Sequence, residues 1–196
     1  MAVYMASWVR PMKAEATPLF TLGHGTLGQA ELANLLSATG IEALVDVRTA
    51  PGSRRNPHVA RAEMEQWLPA AGVAYLWEPR LGGWRKAGPA SPNTALRNES
   101  FRGYADYMAS PQFWEALDAV LELAGGHTTA VMCSESVYWR CHRRLIADAA
   151  SLVRGTEVLH IGHDGRLSPH EPTDGARLAD GGLVYDLGTS APLIDI

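Results

Sequence analysis

Both cysteines of the chain lie in one short segment, Cys133 to Cys141, which also contains a carboxylate. Cys133 follows an apolar run, residues 128–132, that predicts a buried strand, and the apolar spacing after Tyr138 predicts a helix. A cysteine between a strand end and a helix N-terminus can become a thiolate, because the helix dipole and nearby arginines lower its pKa. Glu135 and His142 are candidates for an acid–base pair. We therefore predict Cys133, Glu135 and His142 as catalytic residues.

Further polar residues follow the other predicted strands. His24 lies between two glycines after the first strand, and Asp46 and Arg48 flank the end of the second. The carboxyl ends of parallel strands meet at one edge of a sheet, where ligands bind. Arginine offers a flat fork of donors that suits phosphate and carboxylate. The predicted ligand-binding residues are His24, Asp46, Arg48, Arg54, Tyr104, Cys141 and Arg143.

The elements that position these residues follow from hydrophobic periodicity and from glycine and proline breakers. Strands are predicted at 19–22, 41–47, 73–77, 128–132 and 157–161, and helices at 26–38, 63–71, 101–108, 111–124 and 138–153. Thr26 is predicted to cap the first helix. This order indicates a single α/β domain whose sheet is five-stranded and mostly parallel, with helices on both faces. We predict a flexible leader at 1–17, the α/β domain at 18–168 and a C-terminal extension at 169–196.

Composition limits the class of protein. The chain has 196 residues, a hydrophobic fraction of 46% and a net charge of −4, which suits one globular domain and disfavours a generic nucleic-acid coat. Residues 48–102 nevertheless carry nine basic and four acidic side chains, a local charge of +5. We find no signal peptide and no apolar stretch of membrane-spanning length, so we expect a cytoplasmic protein without a membrane partner. The sequence indicates neither a cofactor nor an oligomeric state.

Several motifs stand in the order of one known family. They are Thr21–Gly25, Asp46–Arg48 followed by Pro51 and Arg54, Leu81–Gly83, Phe101–Met108, Met132–Glu135 and Cys141–Arg143. Together they resemble the bacterial domain-of-unknown-function 488 family over residues 19–163. The family usually has serine where Gly25 or Thr26 stands and alanine where Ser134 stands. The resemblance implies an α/β fold with a pocket, and it implies no reaction.

Three other interpretations of the cysteines remain open. The segment is similar to rhodanese-like sulfurtransferases and cysteine phosphatases, but the interval from Cys133 to Arg140 is one residue too long, and Glu135 would face the anion site. A metal site would need His24, Glu135 or His142 to complete its ligands, and the cysteine spacing is not that of a zinc ribbon; we assign no metal ligand from the sequence. A disulfide is geometrically possible but would not persist in a reducing compartment.

The favoured function is a pocket for an anionic small molecule or nucleotide, acted on through Cys133 or through Glu135 and His142. The alternatives are a non-catalytic module that binds a nucleotide or nucleic acid, and a metal-stabilised structural site. The basic span 48–102 suits both binding hypotheses and so does not separate them.

Overall fold

A computed structural model describes residues 17–188 and contains a six-stranded sheet. Its strands are β1 (Leu19–Gly23), β2 (Ala43–Asp46), β3 (Ala74–Trp77), β4 (Thr129–Cys133), β5 (Val158–Ile161) and β6 (Leu167–Pro169). They lie in the order β3-β2-β4-β1-β5-β6. All neighbours are parallel except β5 and β6, which form an antiparallel hairpin. The predicted α/β class is confirmed.

Helices cover both faces of this sheet. They are α1 (Gln29–Ala38), α2 (Arg61–Ala70), α3 (Glu99–Met108), α4 (Pro111–Gly126) and α5 (Arg143–Asp148), and α5 continues as a π-helical turn, Ala149–Val153. Alternate residues of each central strand point to opposite faces. Leu22 and Met132 pack with α1 and α2, whereas Val131 and Cys133 pack with α3, α4 and α5. The side chain of Cys133 therefore lies on the face that α5 covers.

Three local predictions differ from the structure. Strand β6 was missed because its three residues are all exposed and show no apolar alternation. Helix α1 begins after Gly28 rather than Thr26, and the Glu31 carboxylate accepts the hydrogen bond of the Gly28 backbone N–H. The predicted helix 138–153 is interrupted: a 3₁₀ turn covers Tyr138–Arg140, and α5 begins only at Arg143.

The segment after β6 packs against the sheet domain. It forms a hairpin of β7 (Ala176–Ala179) and β8 (Gly182–Tyr185). Tyr185 is fully buried, and its backbone N–H donates to the Asn93 side-chain oxygen at 3.0 Å. The predicted leader, except for its last residue, and positions 189–196 of the predicted extension lie outside the described residues. Within residues 17–188, every helix is too short or too polar to cross a lipid bilayer.

The sheet order creates a crevice beside β4. Strands β1 and β4 are neighbours, with Gly23 paired to Cys133 at their carboxyl ends. The connection from β1 to β2 passes through α1 on one face of the sheet. The connection from β4 to β5 passes through α5 on the opposite face and crosses the sheet in the opposite direction. Such a reversal leaves a crevice where ligands bind in open α/β sheets.

Candidate functional site

A cleft of about 380 Å³ lies at the carboxyl ends of the strands. Its wall consists of segments near the ends of three strands and near the starts of two helices. They are residues 48–50 after β2, 83 and 84 after β3, 98, 100, 101 and 104 at the start of α3, 133–135 at the end of β4, and 140–142 before α5. The volume falls in the range of small-molecule sites. Segments far apart in the sequence thus share one concave surface.

Cys133, Cys141 and His142 form a compact group in this cleft, which we call the thiol cluster. The two sulfurs and one ring nitrogen of His142 all lie within 4.8 Å of one another. The His142 Nδ1 atom is 3.9 Å from the Cys133 sulfur and 3.7 Å from the Cys141 sulfur. Both thiols are free and buried. The extended backbone of Cys141, with φ −128° and ψ 149°, separates the 3₁₀ turn from α5 and allows this approach.

Arg143 supplies the positive charge behind the cluster. The residue is 1% exposed, and its guanidinium donates through Nε to the Cys141 sulfur at 3.4 Å. Its other nitrogens donate to Thr21 Oγ1 and to the Glu135 backbone carbonyl. Within residues 17–188 it makes no ion pair with a carboxylate. A buried guanidinium needs a compensating anion, and the Cys141 sulfur is the anionic candidate in contact with it.

The two thiols differ in their readiness to ionise. The pKa of Cys141 is well below its ordinary value, because the Cys133 thiol donates a hydrogen bond to its sulfur and because His142 and Arg143 favour the thiolate. The pKa of Cys133 is raised, because that hydrogen bond holds its proton and burial disfavours its charge. The hydrogen bond from Arg143 to the Cys141 sulfur favours the thiolate at Cys141, whereas the sequence pointed to Cys133. The assignment of Cys133 as a catalytic residue stays a prediction.

The His142 ring is oriented by packing. A β-carbon added at Gly83 would lie 3.0 Å from His142 Nδ1, so the glycine permits the loop to pass close over the ring. On another side the Tyr104 ring lies 5.1 Å from the His142 ring, between centroids. His142 Nε2 is buried and has no hydrogen-bond partner within the described part of the chain. The ring is therefore fixed with Nδ1 towards the two sulfurs.

Glu135 does not form the predicted pair with His142. Both residues line the cleft, but the Glu135 side chain is exposed, and none of the hydrogen bonds or ion pairs of residues 17–188 involves its carboxylate. The Glu135 backbone carbonyl, and not the carboxylate, accepts a hydrogen bond from the Arg143 guanidinium. The segment after β4 turns the carboxylate towards solvent, so the predicted acid–base pair is not present in this arrangement.

The wall beside the thiol cluster contains a buried ion pair between Asp46 and Arg48. The Asp46 carboxylate accepts from Arg48 Nε at 2.8 Å and from a terminal guanidinium nitrogen at 2.6 Å, and from the Tyr75 hydroxyl at 2.7 Å. Burial and this carboxylate raise the pKa of Tyr75. Arg48 lines the cleft, whereas Asp46 is completely buried behind it. Asp46 thus acts on the cleft by fixing Arg48.

His24 supports the same arginine as a neutral ring. Its Nδ1 lies 3.0 Å from the Gly25 carbonyl, and its Nε2 lies 3.2 Å from an Arg48 guanidinium nitrogen. Since the carbonyl only accepts and the guanidinium only donates, the proton is on Nδ1. Burial, followed by the charge of Arg48, lowers the pKa of His24 to about 4. His24 is therefore a buried support of the wall.

Two other predicted ligand residues have different positions. The Tyr104 ring lines the cleft, but its hydroxyl is committed to the Leu81 carbonyl at 2.8 Å. Arg54 is exposed in the loop after β2 and does not line the cleft. The structure thus brings Cys133, Cys141, His142, Arg48 and Tyr104 to one surface and leaves Arg54 outside it.

Sequence reasoning missed several residues around the site. These are Thr49, Asn98 and Ser100, which line the cleft. Trp84, whose place in a candidate site loop the sequence does indicate, also lines the cleft; it is 84% exposed and has a left-handed φ of 59°. The signal for Asn98, Ser100 and Trp84 was the long predicted loop 78–100, because such loops in compact domains are usually functional. Thr49 lies in a different loop, after β2. A set of buried polar residues lies behind Arg143: Thr21, which belongs to the first motif, and His160, His170 and Asp148, which gave no motif signal.

Comparison with known proteins gives one match. Residues 29–150, more than half of the chain, match the family described as "Domain of unknown function DUF488". This span contains the segments around β2, β4 and α5 that build the cleft. Neither the curated proteins nor the solved structures contain a significant match to this sequence. The chain therefore belongs to the domain-of-unknown-function DUF488 family.

Proposed function

We propose that this protein binds a small anionic molecule in the cleft, with the thiol cluster in contact with the reactive part of that molecule. The observation that carries the proposal is the convergence of Cys133, Cys141 and His142 on one wall of a concave site at the topological switch point. Concave sites with a few convergent polar groups are the usual place for ligand binding.

The charges around the cleft support an anionic ligand. Arg48 and Arg140 line it, opposed by the carboxylate of Glu135. The Arg48 guanidinium is fixed by Asp46, whereas Arg140 is exposed and, within the described residues, makes no ion pair. Arg140 is therefore the cation that is available for a phosphate or carboxylate group.

Trp84 supports a ligand with a planar group, such as a nucleotide. Its side chain is almost fully exposed at the cleft, and its backbone occupies the left-handed region, which is strained for a bulky residue. Strained residues of this kind cluster at ligand-binding sites. An exposed indole can stack on a base with a contribution of about 1–3 kcal/mol.

The two free thiols also bear on location. The two sulfurs lie within 4.8 Å of each other. We propose the cytoplasm as the place of action, because two cysteines do not make the disulfide framework of a secreted protein and a reducing compartment would keep this pair as thiols.

The proposal is tested by thermal denaturation at constant ionic strength. The panel contains inorganic phosphate, pyrophosphate, adenosine monophosphate and guanosine monophosphate, each added to the full chain under reducing conditions. A ligand at about one hundred times its dissociation constant adds about 2.7 kcal/mol, a shift of several degrees. We expect at least one compound to stabilise the wild type and the stabilisation to be lost in Arg140→Gln.

Arg54→Gln is the matched control, because it removes the same charge from an exposed arginine outside the cleft. It should bind like the wild type. No stabilisation by any compound, or equal losses in the two variants, would contradict the proposal. Stabilisation by a short oligonucleotide and by none of the small compounds would favour the nucleic-acid alternative instead.

A further inference from the structure

We propose that the thiol cluster is a binding site for a zinc-type divalent ion, with Cys133, Cys141 and His142 as three ligands and a fourth coordination position open to the cleft. The proposal goes beyond anion binding, since it assigns the chemical nature of the group that a bound molecule would meet. It stands on the geometry of the three side chains and on the shape of the cleft around them.

The distances between the ligand atoms fit a tetrahedral ion. Zinc binds sulfur at about 2.3 Å and imidazole nitrogen at about 2.0–2.1 Å, so tetrahedral angles put ligand sulfur and nitrogen about 3.5–3.6 Å apart. The observed distances from His142 Nδ1 to the two sulfurs are 3.7 and 3.9 Å. Two ligand sulfurs on such an ion are about 3.8 Å apart, and all three ligand atoms here lie within 4.8 Å. Closing the site requires shifts of a few tenths of an ångström for the nitrogen contacts.

The surroundings hold the ligands in place. Gly83 and the Tyr104 ring fix the orientation of His142, so that Nδ1 faces the sulfurs. The Arg143 guanidinium donates to the Cys141 sulfur from the side away from the cleft. Hydrogen bonds to ligating atoms are the usual second layer of a metal site, and they favour the thiolate form that binds the ion.

The donor set indicates the class of ion. Two sulfurs and one imidazole nitrogen are soft to borderline ligands, which disfavours magnesium and calcium and suits zinc. Structural zinc sites are closed by four protein ligands, whereas catalytic sites have three and keep one position free. Within residues 17–188, no fourth histidine, cysteine or carboxylate joins the group of three. The free position faces a cleft large enough for a small molecule.

Cobalt(II) is a suitable probe, since it occupies zinc sites and reports its ligands by absorption. The full chain is treated with a chelator, kept reduced and anaerobic, and titrated with Co²⁺. We expect a thiolate-to-metal charge-transfer band in the near ultraviolet and tetrahedral d–d bands in the visible, both saturating at one equivalent and displaced by Zn²⁺. Cys133→Ser and Cys141→Ser should each remove about half of the charge-transfer intensity, and His142→Gln should weaken binding and shift the d–d bands.

His127→Gln is the control, because His127 is exposed outside the cluster and, among residues 17–188, only its backbone is hydrogen-bonded. Circular dichroism shows whether each variant is folded. If a variant does not fold, a second measurement uses the wild type: one equivalent of Zn²⁺ should protect its two thiols from alkylation. Absence of the bands and of protection, or bands that persist without both cysteines, would overturn the proposal. Anion-induced stabilisation of the chelated protein without Co²⁺ binding would overturn the metal site alone. Co²⁺ binding without any anion effect would overturn the proposed function alone.

Discussion

The buried ion pair of Asp46 and Arg48 allows a quantitative test of how the cleft wall is held. The Asp46 side chain is completely buried, that of Arg48 is 6% exposed, and their closest contact is 2.6 Å. In Asp46→Asn the carboxamide keeps one acceptor oxygen but loses the charge that compensates the guanidinium. Removal of one partner from a buried pair costs about 3–5 kcal/mol, because the other charge remains buried without its counterion. We expect the free energy of unfolding to fall by that amount.

Urea denaturation at neutral pH measures this change. Asp118→Asn is the matched control, since Asp118 also pairs with an arginine, Arg154, at 2.6 Å, but with side chains that are 51% and 33% exposed. An exposed pair contributes about 0–1 kcal/mol. Replacing both members of the buried pair, in Asp46→Leu with Arg48→Met, should recover part of the loss. A cost for Asp46→Asn no larger than that for Asp118→Asn would refute the view that this pair holds the wall.

Two further predictions concern stability. Burial, and then the electrostatic influence of His170 and Arg143, lower the pKa of His160 from 6.5 to about 3, so the unfolded chain binds a proton there that the folded chain does not. The groups that face its ring are His170, Arg143, Asp148 and the stacked Tyr138. The contribution of this group to the free energy of unfolding is therefore present above pH 6.5 and is lost as the pH falls towards 3. At about pH 5 the loss from this group is at most about 2 kcal/mol. The urea midpoint should fall less on acidification in His160→Gln than in the wild type. Gly103→Ala should lower the unfolding free energy by about 1–3 kcal/mol, because the new β-carbon would lie 2.6 Å from the backbone nitrogen of Ala87. The control Gly125→Ala, which has open space around the new β-carbon, should be neutral or stabilising. Equal effects of the two substitutions would contradict the contact.

The sheet was predictable because its physical signal is local. Apolar runs ending at Gly23, Asp46 and Cys133 identified three parallel strands, and these ends meet at one edge in the structure. The sixth strand has a weak sequence signal, the turn residues Asp164 and Gly165 that precede it, because it pairs through its backbone while its side chains remain exposed. The helix predicted from Tyr138 was wrong at its start, because the apolar spacing does not report that Cys141 turns extended to reach the other cysteine.

The site was predictable in its membership and not in its chemistry. The motifs named both cysteines, His142 and Arg143, and the structure places all four in contact. Which thiol is favoured to ionise depends on how Cys133, His142 and Arg143 are arranged around the Cys141 sulfur, and sequence spacing contains no such information. The outward turn of Glu135 depends in the same way on the loop after β4, where the backbone carbonyl rather than the carboxylate contacts Arg143.

What holds Arg143 was invisible to motifs because it comes from distant parts of the chain. A continuous series of hydrogen bonds leads from Asp148 of α5 through strands β5 and β1 and returns to α5 at Arg143. It links Asp148 to His170 at 2.8 Å, His170 to His160 at 3.0 Å, His160 to Thr21 at 2.7 Å and Thr21 to Arg143 at 3.4 Å. His170 follows β6, and Tyr185 of β8 also donates to the Asp148 carboxylate, at 3.0 Å. Because a buried carboxylate must have its acceptor sites filled, these donors fix α5, whose first residue is Arg143. The position of the thiol cluster therefore depends on strands β1 and β5 and on the segment after β6, as well as on the residues that carry its chemistry.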